Sequence, residues 1–308
     1  MPLFFSRRAY NASKKRFTNN PSDPTRYVSI NGTSPGPGGW SGQMRTQKDW
    51  LSEVLAAGGD KDILIYVHGF NTSQHDMLER SILIENGLRK HGYEGAVVSF
   101  DWPSDGTVLA YDRDKEDAKT VASSLVTDGL WPMMKLSPRP KVHLLAHSMG
   151  AYLITRAFAP FGDASGPGSS RWRCDEIMFA SADLYRNTLA KGAANQLLLS
   201  HRSKRMTNYY NREDKVLKLS SNIVHGTKAR AGRKGIPNQI AKDHVDVSCT
   251  KQYRRDAEPI DPGLTYSHRW WFDNDGFYED VALTLAGTAT DAMTTRFTTT
   301  GTDFALVT

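Results

Sequence analysis

Short runs with strand character alternate along this chain with longer stretches whose apolar residues recur at helical spacing. The strand runs are Ile63–Val67, Ala96–Phe100, Val142–Ala146, Glu176–Ala180, Lys204–Asn211 and Val245–Cys249. Ile63–Val67 and Val142–Ala146 are mostly apolar, as expected of strands buried on both faces. Between the runs, Gln47–Ala57 carries Trp50, Leu51, Val54 and Leu55 on one face and stops at Gly58-Gly59. Ser73–Lys90 turns Met77, Ile82, Leu83 and Leu88 towards a core, and Asp112–Asp128 does the same with Ala118, Val121 and Leu125. Ala151–Ala159, Arg186–Ser200, Lys215–Ser221 and Asp273–Ala286 complete the helices, with Pro160 stopping the first of these. This alternation predicts an α/β fold, a mostly parallel sheet with helices on both faces.

The flanks follow a different pattern. Residues 1–43 read as an irregular arm packed on the main domain, with Arg26–Ile30 as an edge strand. Residues 44–286 form that domain, and 287–308 a threonine-rich tail in which Phe304–Val307 either adds an edge strand or frays. Pro160–Asp175 is a Gly/Ser/Pro-rich loop, and Val224–Lys242 a basic one.

Composition narrows the class. The 308 residues are 39% hydrophobic and 10% aromatic, enough for a real core. Cys174 and Cys249 form no disulfide framework and no metal spacing; they read as free thiols, with a single bridge left open. No His, Cys and acid cluster has ligand spacing, so no cofactor is expected. No apolar run approaches the roughly 18 residues of a membrane span. The basic N-terminus lacks an apolar signal core, which favours the cytoplasm over secretion. A net charge of +6 reads first as solubility. Lys228, Arg230, Arg233 and Lys234 lack interleaved aromatics, so a solvated loop is expected there and no nucleic acid.

The chemistry centres on Ala146-His147-Ser148-Met149-Gly150, which joins a buried strand to a helix. Strand, small-x-Ser-x-Gly, helix is a nucleophile elbow: a tight turn that holds a serine hydroxyl at a helix N-terminus, with Ala146 where glycine is usual. Such a serine needs a base, and the base needs an acid to fix its tautomer, in the chain order Ser, acid, His. His268 is the one histidine after the last strand run; His244 opens that run and His225 falls earlier, in the basic loop. Asp214 follows the strand two beyond the nucleophile and is preferred as the acid. Asp183, after the preceding strand, is the alternative, with Glu213 behind it. Either aspartate could instead be a helix N-cap. The oxyanion donors would be the amides of Met149 and of Phe70, with Gly69 allowing the tight turn before it. His68 and His147 read as neighbours of the working groups.

Y-V-H-G-F-N, F-D-W-P-S-D-G with Tyr111 and Asp112 downstream, and L-L-A-H-S-M-G resemble the alpha/beta hydrolase superfamily, in particular its esterase-like bacterial branch. N-R-E-D-K-V-L-K-L-S resembles that branch's acid motif and S-H-R-W-W-F-D its histidine motif, so the resemblance spans roughly residues 45–285. It implies serine hydrolase chemistry without fixing the substrate. The leading expectation is ester hydrolysis through an acyl-enzyme on a small-molecule ester. Acyl transfer, amide hydrolysis or a catalytically silent binding protein are the alternatives. The interval Ala182–Ser203 has room for one helix and no cap domain. That implies a shallow, open cleft lined by Phe70, Trp102 and Trp270 or Trp271, and a preference for short acyl chains.

Overall fold

The computed structural model describes residues 1–32, 34–35, 39–59, 61–104, 111–161, 172–223, 228–237, 240–299 and 303–308. In chain order the strands are β1 (Leu3–Asn11), β2 (Arg16–Ile30), β3 (Gly42–Arg45), β4 (Ile63–Val67), β5 (Ala96–Asp101), β6 (Val142–His147), β7 (Cys174–Ala180), β8 (Ser203–Tyr210), β9 (His244–Ser248), β10 (Arg296–Thr298) and β11 (Asp303–Leu306). The helices are α1 (Gln47–Ala57), α2 (Gln74–Lys90), α3 (Tyr111–Ser124), α4 (Trp131–Met134), α5 (Met149–Phe158) and α6 (Ala194–Arg202). They continue with α7 (Lys215–Ile223), α8 (Ala231–Lys234), α9 (Thr250–Gln252), α10 (Tyr266–Arg269) and α11 (Asp275–Leu285). The chain divides into two compact units: Met1–Glu85, Glu94–Leu144 and Leu153–Trp172; and Asn86–Tyr93, Leu145–Tyr152 and Arg173–Thr308.

In the first unit β4, β5 and β1 run parallel, and β2 and β3 extend the sheet antiparallel. The expected irregular arm is therefore a ribbon of strands. Its pattern is hard to read because β1 buries polar side chains with their partners. Ser6 Oγ donates to Asp101 Oδ2 at 2.8 Å, and Arg8 Nε donates to Asp101 Oδ1 at 2.7 Å. Arg7 binds Asp23 and Ser124. Pairing with fully buried Asp101 makes Arg8 interior, whereas Arg7 pairs outward with the exposed Asp23.

The expected helix over 112–128 ends at Ser124 and passes into a π-helical turn, Leu125–Leu130. Gly129 sits in that turn against the Phe5 ring, where any Cβ would collide. Along α2 the buried apolar residues are Met77, Leu78, Ile84 and Leu88; Leu83 is exposed, one position off the expected register.

In the second unit β7, β8, β9 and β11 are parallel, and β10 pairs antiparallel with β11. The tail strand β11 is thus not an edge, since β10 lies outside it. Buried Arg296 anchors β10: its Nη2 donates to Asp280 Oδ1 at 2.7 Å, and Tyr209 hydroxyl donates to the same oxygen at 2.6 Å. The expected helix over 186–200 is two pieces, a 3₁₀ turn Arg186–Leu189 and α6, with Gly192 at φ 83° between them. Cys174 and Cys249 are both buried and free, which closes the open question of a bridge.

Asp246 on β9 is fully buried. It accepts Asn208 Nδ2 at 2.6 Å and the Ile236 amide at 2.8 Å, and burial pushes its carboxyl up to about 8. The folded chain then keeps a proton that the unfolded chain has lost above about pH 4, so this group's contribution to stability falls as pH rises from about 4 to about 8. Urea unfolding of the wild type and Asp246→Asn across that range should show the wild type losing stability relative to the variant as pH rises. A constant difference would contradict the assignment.

Candidate active site

Six consecutive buried residues of β6 lead into Ser148, whose φ is 55°. A non-glycine residue in the left-handed region is strained by roughly 1–2 kcal/mol. Backbone bonds hold it there: the Ser148 amide donates to Ala180 O at 3.0 Å, and Ser148 O accepts the amides of Asp183 and Ala151, each at 3.1 Å. α5 starts at the next residue, Met149, so the serine stands at a helix N-terminus.

His268 lies in α10, and its Nδ1 is 2.7 Å from Asp214 Oδ2. A carboxylate only accepts, so this bond puts the proton on Nδ1 and leaves the Nε2 lone pair for other work. Asp214 has no solvent exposure. Its Oδ1 accepts the Leu217 amide at 2.9 Å in the first turn of α7. One oxygen of this residue thus caps a helix while the other meets the His268 ring. Its Oδ2 also accepts Ser181 Oγ at 2.8 Å, and Ser181 Oγ accepts Trp271 Nε1 at 2.9 Å. His147 Nε2 donates to the His268 carbonyl at 2.9 Å, tying down that residue's backbone.

The competing acids are engaged elsewhere. Asp183 Oδ1 lies 3.1 Å from Arg230 Nε, both side chains being buried. Glu213 pairs with Arg254. His244 sits 3.3 Å from Asp243, with burial lowering its pKa, and His225 lies outside the described residues. The basic stretch is only partly solvated: Lys228 and Lys234 are exposed, but Arg230 is buried on Asp183, and Arg233 Nε donates to the Asp214 carbonyl at 3.2 Å. Positive charge that reads as a surface feature is, in these two residues, internal counter-charge and carbonyl capping.

Gly69 and Phe70 follow β4 in the first unit. Their loop is tied down by His68, whose Nδ1 donates to Gly69 O at 2.9 Å and whose Nε2 accepts the Trp102 amide at 3.2 Å. Burial depresses the His68 pKa, consistent with a neutral ring in that role. The Thr72 carbonyl accepts Arg8 Nη2 at 2.9 Å, and the Thr72 amide donates to Ser104 Oγ at 3.1 Å. Phe70 packs edge-on against Tyr111.

The expected aromatic cleft wall is corrected. Trp102, Trp270 and Trp271 have no solvent exposure. Trp102 stacks on His68 and donates Nε1 to the His68 carbonyl at 2.9 Å; Trp270 packs on Tyr253; Trp271 serves Ser181. An indole is large and apolar enough to be core, and the Trp102 and Trp271 N–H groups find partners that the sequence does not show; the Trp270 N–H is buried without one among the described residues. Ser181 escaped the sequence reading altogether, because nothing in its spacing distinguishes it from a loop serine.

Mostly parallel strands alternating with helices, and a left-handed serine between a strand and a helix, are the features of an α/β hydrolase. The chain belongs to the family described as alpha/beta hydrolase of unknown function (DUF900), whose model matches residues 43–247. It is 32% identical over 126 residues to an uncharacterised protein of Nostoc, covering 34% of this chain and a third (33%) of that protein. Among solved structures it is similar to a cutinase-like protein from Cryptococcus (12% identity, TM-score 0.35, 74% of this chain and 93% of that one). It is also similar to the metagenome-derived lipolytic enzymes LipS and LipT (15% identity, TM-score 0.36, 68% and 94%). At these scores the structural likenesses assign no substrate.

Removing one member of a buried ion pair leaves the other charge uncompensated, typically at about 3–5 kcal/mol. Asp183→Asn should therefore lower the urea midpoint markedly, and Asp183→Leu with Arg230→Met should recover most of that loss. Equal midpoints for Asp183→Asn and wild type would show the pair to be inconsequential.

Proposed function

We propose that this hydrolase-family chain is a serine carboxylester hydrolase that acts through an acyl-enzyme on small, short-chain esters. The observation that carries the reading is the 2.7 Å bond between His268 Nδ1 and Asp214 Oδ2, in the same unit as the strained Ser148 that precedes α5. Ser148 Oγ attacks the ester carbonyl while His268 Nε2 takes its proton. The developing imidazolium is stabilised by Asp214. The Met149 amide, at the start of α5, donates to the oxyanion. One such donor is worth about 3–4 kcal/mol in related chemistry. His268 returns the proton to the departing alcohol, and water repeats the sequence to release the acid and restore Ser148.

The preference for short chains is supported by the interval between β7 and β8, which holds only the 3₁₀ turn and α6, too little for a helical cap. Each acyl methylene left in water forgoes roughly 0.8 kcal/mol of burial.

A fluorophosphonate probe should phosphonylate Ser148 with loss of fluoride, and Ser148→Ala should abolish labelling. With p-nitrophenyl acetate, His268→Ala and Asp214→Asn should each lower kcat on the order of 10³-fold or more, whereas Asp183→Asn should not. Loss confined to Asp183→Asn would move the acid to that residue, and an unlabelled wild type would favour a silent binding protein. In a p-nitrophenyl ester series, rates should peak at short chains. A peak at long chains with a jump above the solubility limit would overturn the short-chain assignment.

A further inference from the structure

We infer that Ser181 is a positioning residue for the acid: its hydroxyl, anchored by Trp271 Nε1, locks Asp214 Oδ2 onto His268. The inference rests on the triad reading above and adds a donor to it.

The proton directions are forced. An indole N–H can only donate, so at 2.9 Å Ser181 Oγ must accept from Trp271. Its own hydrogen is then left for Asp214 Oδ2, 2.8 Å away, which as a carboxylate oxygen can only accept. Oδ2 thus receives two donors, Ser181 and His268 Nδ1, while Oδ1 receives the Leu217 amide. Three donors on two oxygens fix both the plane and the rotation of the carboxylate. All of this lies away from water: Ser181, Asp214 and Trp271 have no exposure.

The backbone makes the serine's presence informative. Ser181 adopts φ 51° at the end of β7, a conformation that glycine takes without strain and serine does not. It is clamped there, its amide donating to Tyr209 O at 3.2 Å. Gly232 packs so closely on its Cα and carbonyl carbon that a side chain at 232 would collide. A turn that needed only its shape would be better served by glycine at 181. Serine adds one thing, the hydroxyl, and the hydroxyl is spent on the acid.

Two variants test this, with p-nitrophenyl acetate as the probe substrate. Ser181→Gly suits the backbone and deletes the hydroxyl. It should lower kcat roughly tenfold with KM little changed, the usual loss for a hydrogen bond to a charged group. The downfield proton resonance of His268 Nδ1–H should broaden in the same variant. Trp271→Phe keeps most of the ring packing and removes only the anchor. It should lower kcat several-fold in the wild type and no further in the Ser181→Gly background. Wild-type kcat with a sharp Nδ1–H resonance in Ser181→Gly would overturn the inference. Should that variant fail to fold, the same result in Trp271→Phe would overturn it, and so would additive losses in the double variant. Failure of the wild type to react with a fluorophosphonate would defeat the hydrolase reading instead, and the Nδ1–H resonance would still decide the role of Ser181.

Discussion

The second unit is organised around a residue in a conformation it would not choose. Ser148 sits at positive φ because β6 must end and α5 begin within a single residue. Its amide and carbonyl are tied to Ala180, Asp183 and Ala151, so the strain is held by the surrounding backbone. The neighbouring strand end repeats the device, with Ser181 also left-handed and its amide bonded to Tyr209. Two serines at adjacent corners, both turned out of the common backbone regions, bring one hydroxyl to a helix N-terminus and the other to the carboxylate that holds His268.

The first unit reaches local order by another route, buried charge. Asp101 is fully buried, and the Arg8 guanidinium beside it holds its carboxyl well below the usual carboxylate range. Arg8 goes on to the Thr72 carbonyl, so one residue of the first strand links the end of β5 to the loop that carries Gly69 and Phe70. Ser104, bonded to the Thr72 amide, donates in turn to Asp114, whose pKa burial raises to about 6. With that carboxylate charged, the chain Thr72, Ser104, Asp114 is satisfied from end to end; such networks rigidify when complete.

Much of the α/β core was legible because it follows period and punctuation. β4 coincides with its apolar run, and β5, β6 and β9 lie within a residue of theirs, since a strand buried on both faces has little choice of composition. Ser148 and Asp214 could be singled out for a related reason, each following closely on a strand; His268 lies well past β9, in α10, and stood out only as the histidine beyond the last strand run. β1 was not legible. Its run of polar and basic residues reads as irregular until Asp101, distant in sequence, is seen to meet Ser6 and Arg8 inside the fold. Trp102, Trp270 and Trp271 were misread for the complementary reason, apolar bulk being as suited to a core as to a cleft.

By itself, then, the sequence determined the alternating α/β order, the strand-Ser148-helix junction and a short list of acids and bases. These depend on residue types within a few positions of one another, which local sterics and periodicity make specific. Only the tertiary structure decided which carboxylate meets His268, that Asp183 is taken by Arg230, and that Ser181 and Trp271 stand behind Asp214. Hydrogen bonds of under 3 Å between residues dozens of positions apart depend on the register of separate strands and on what else fills the interior, and no local pattern encodes that.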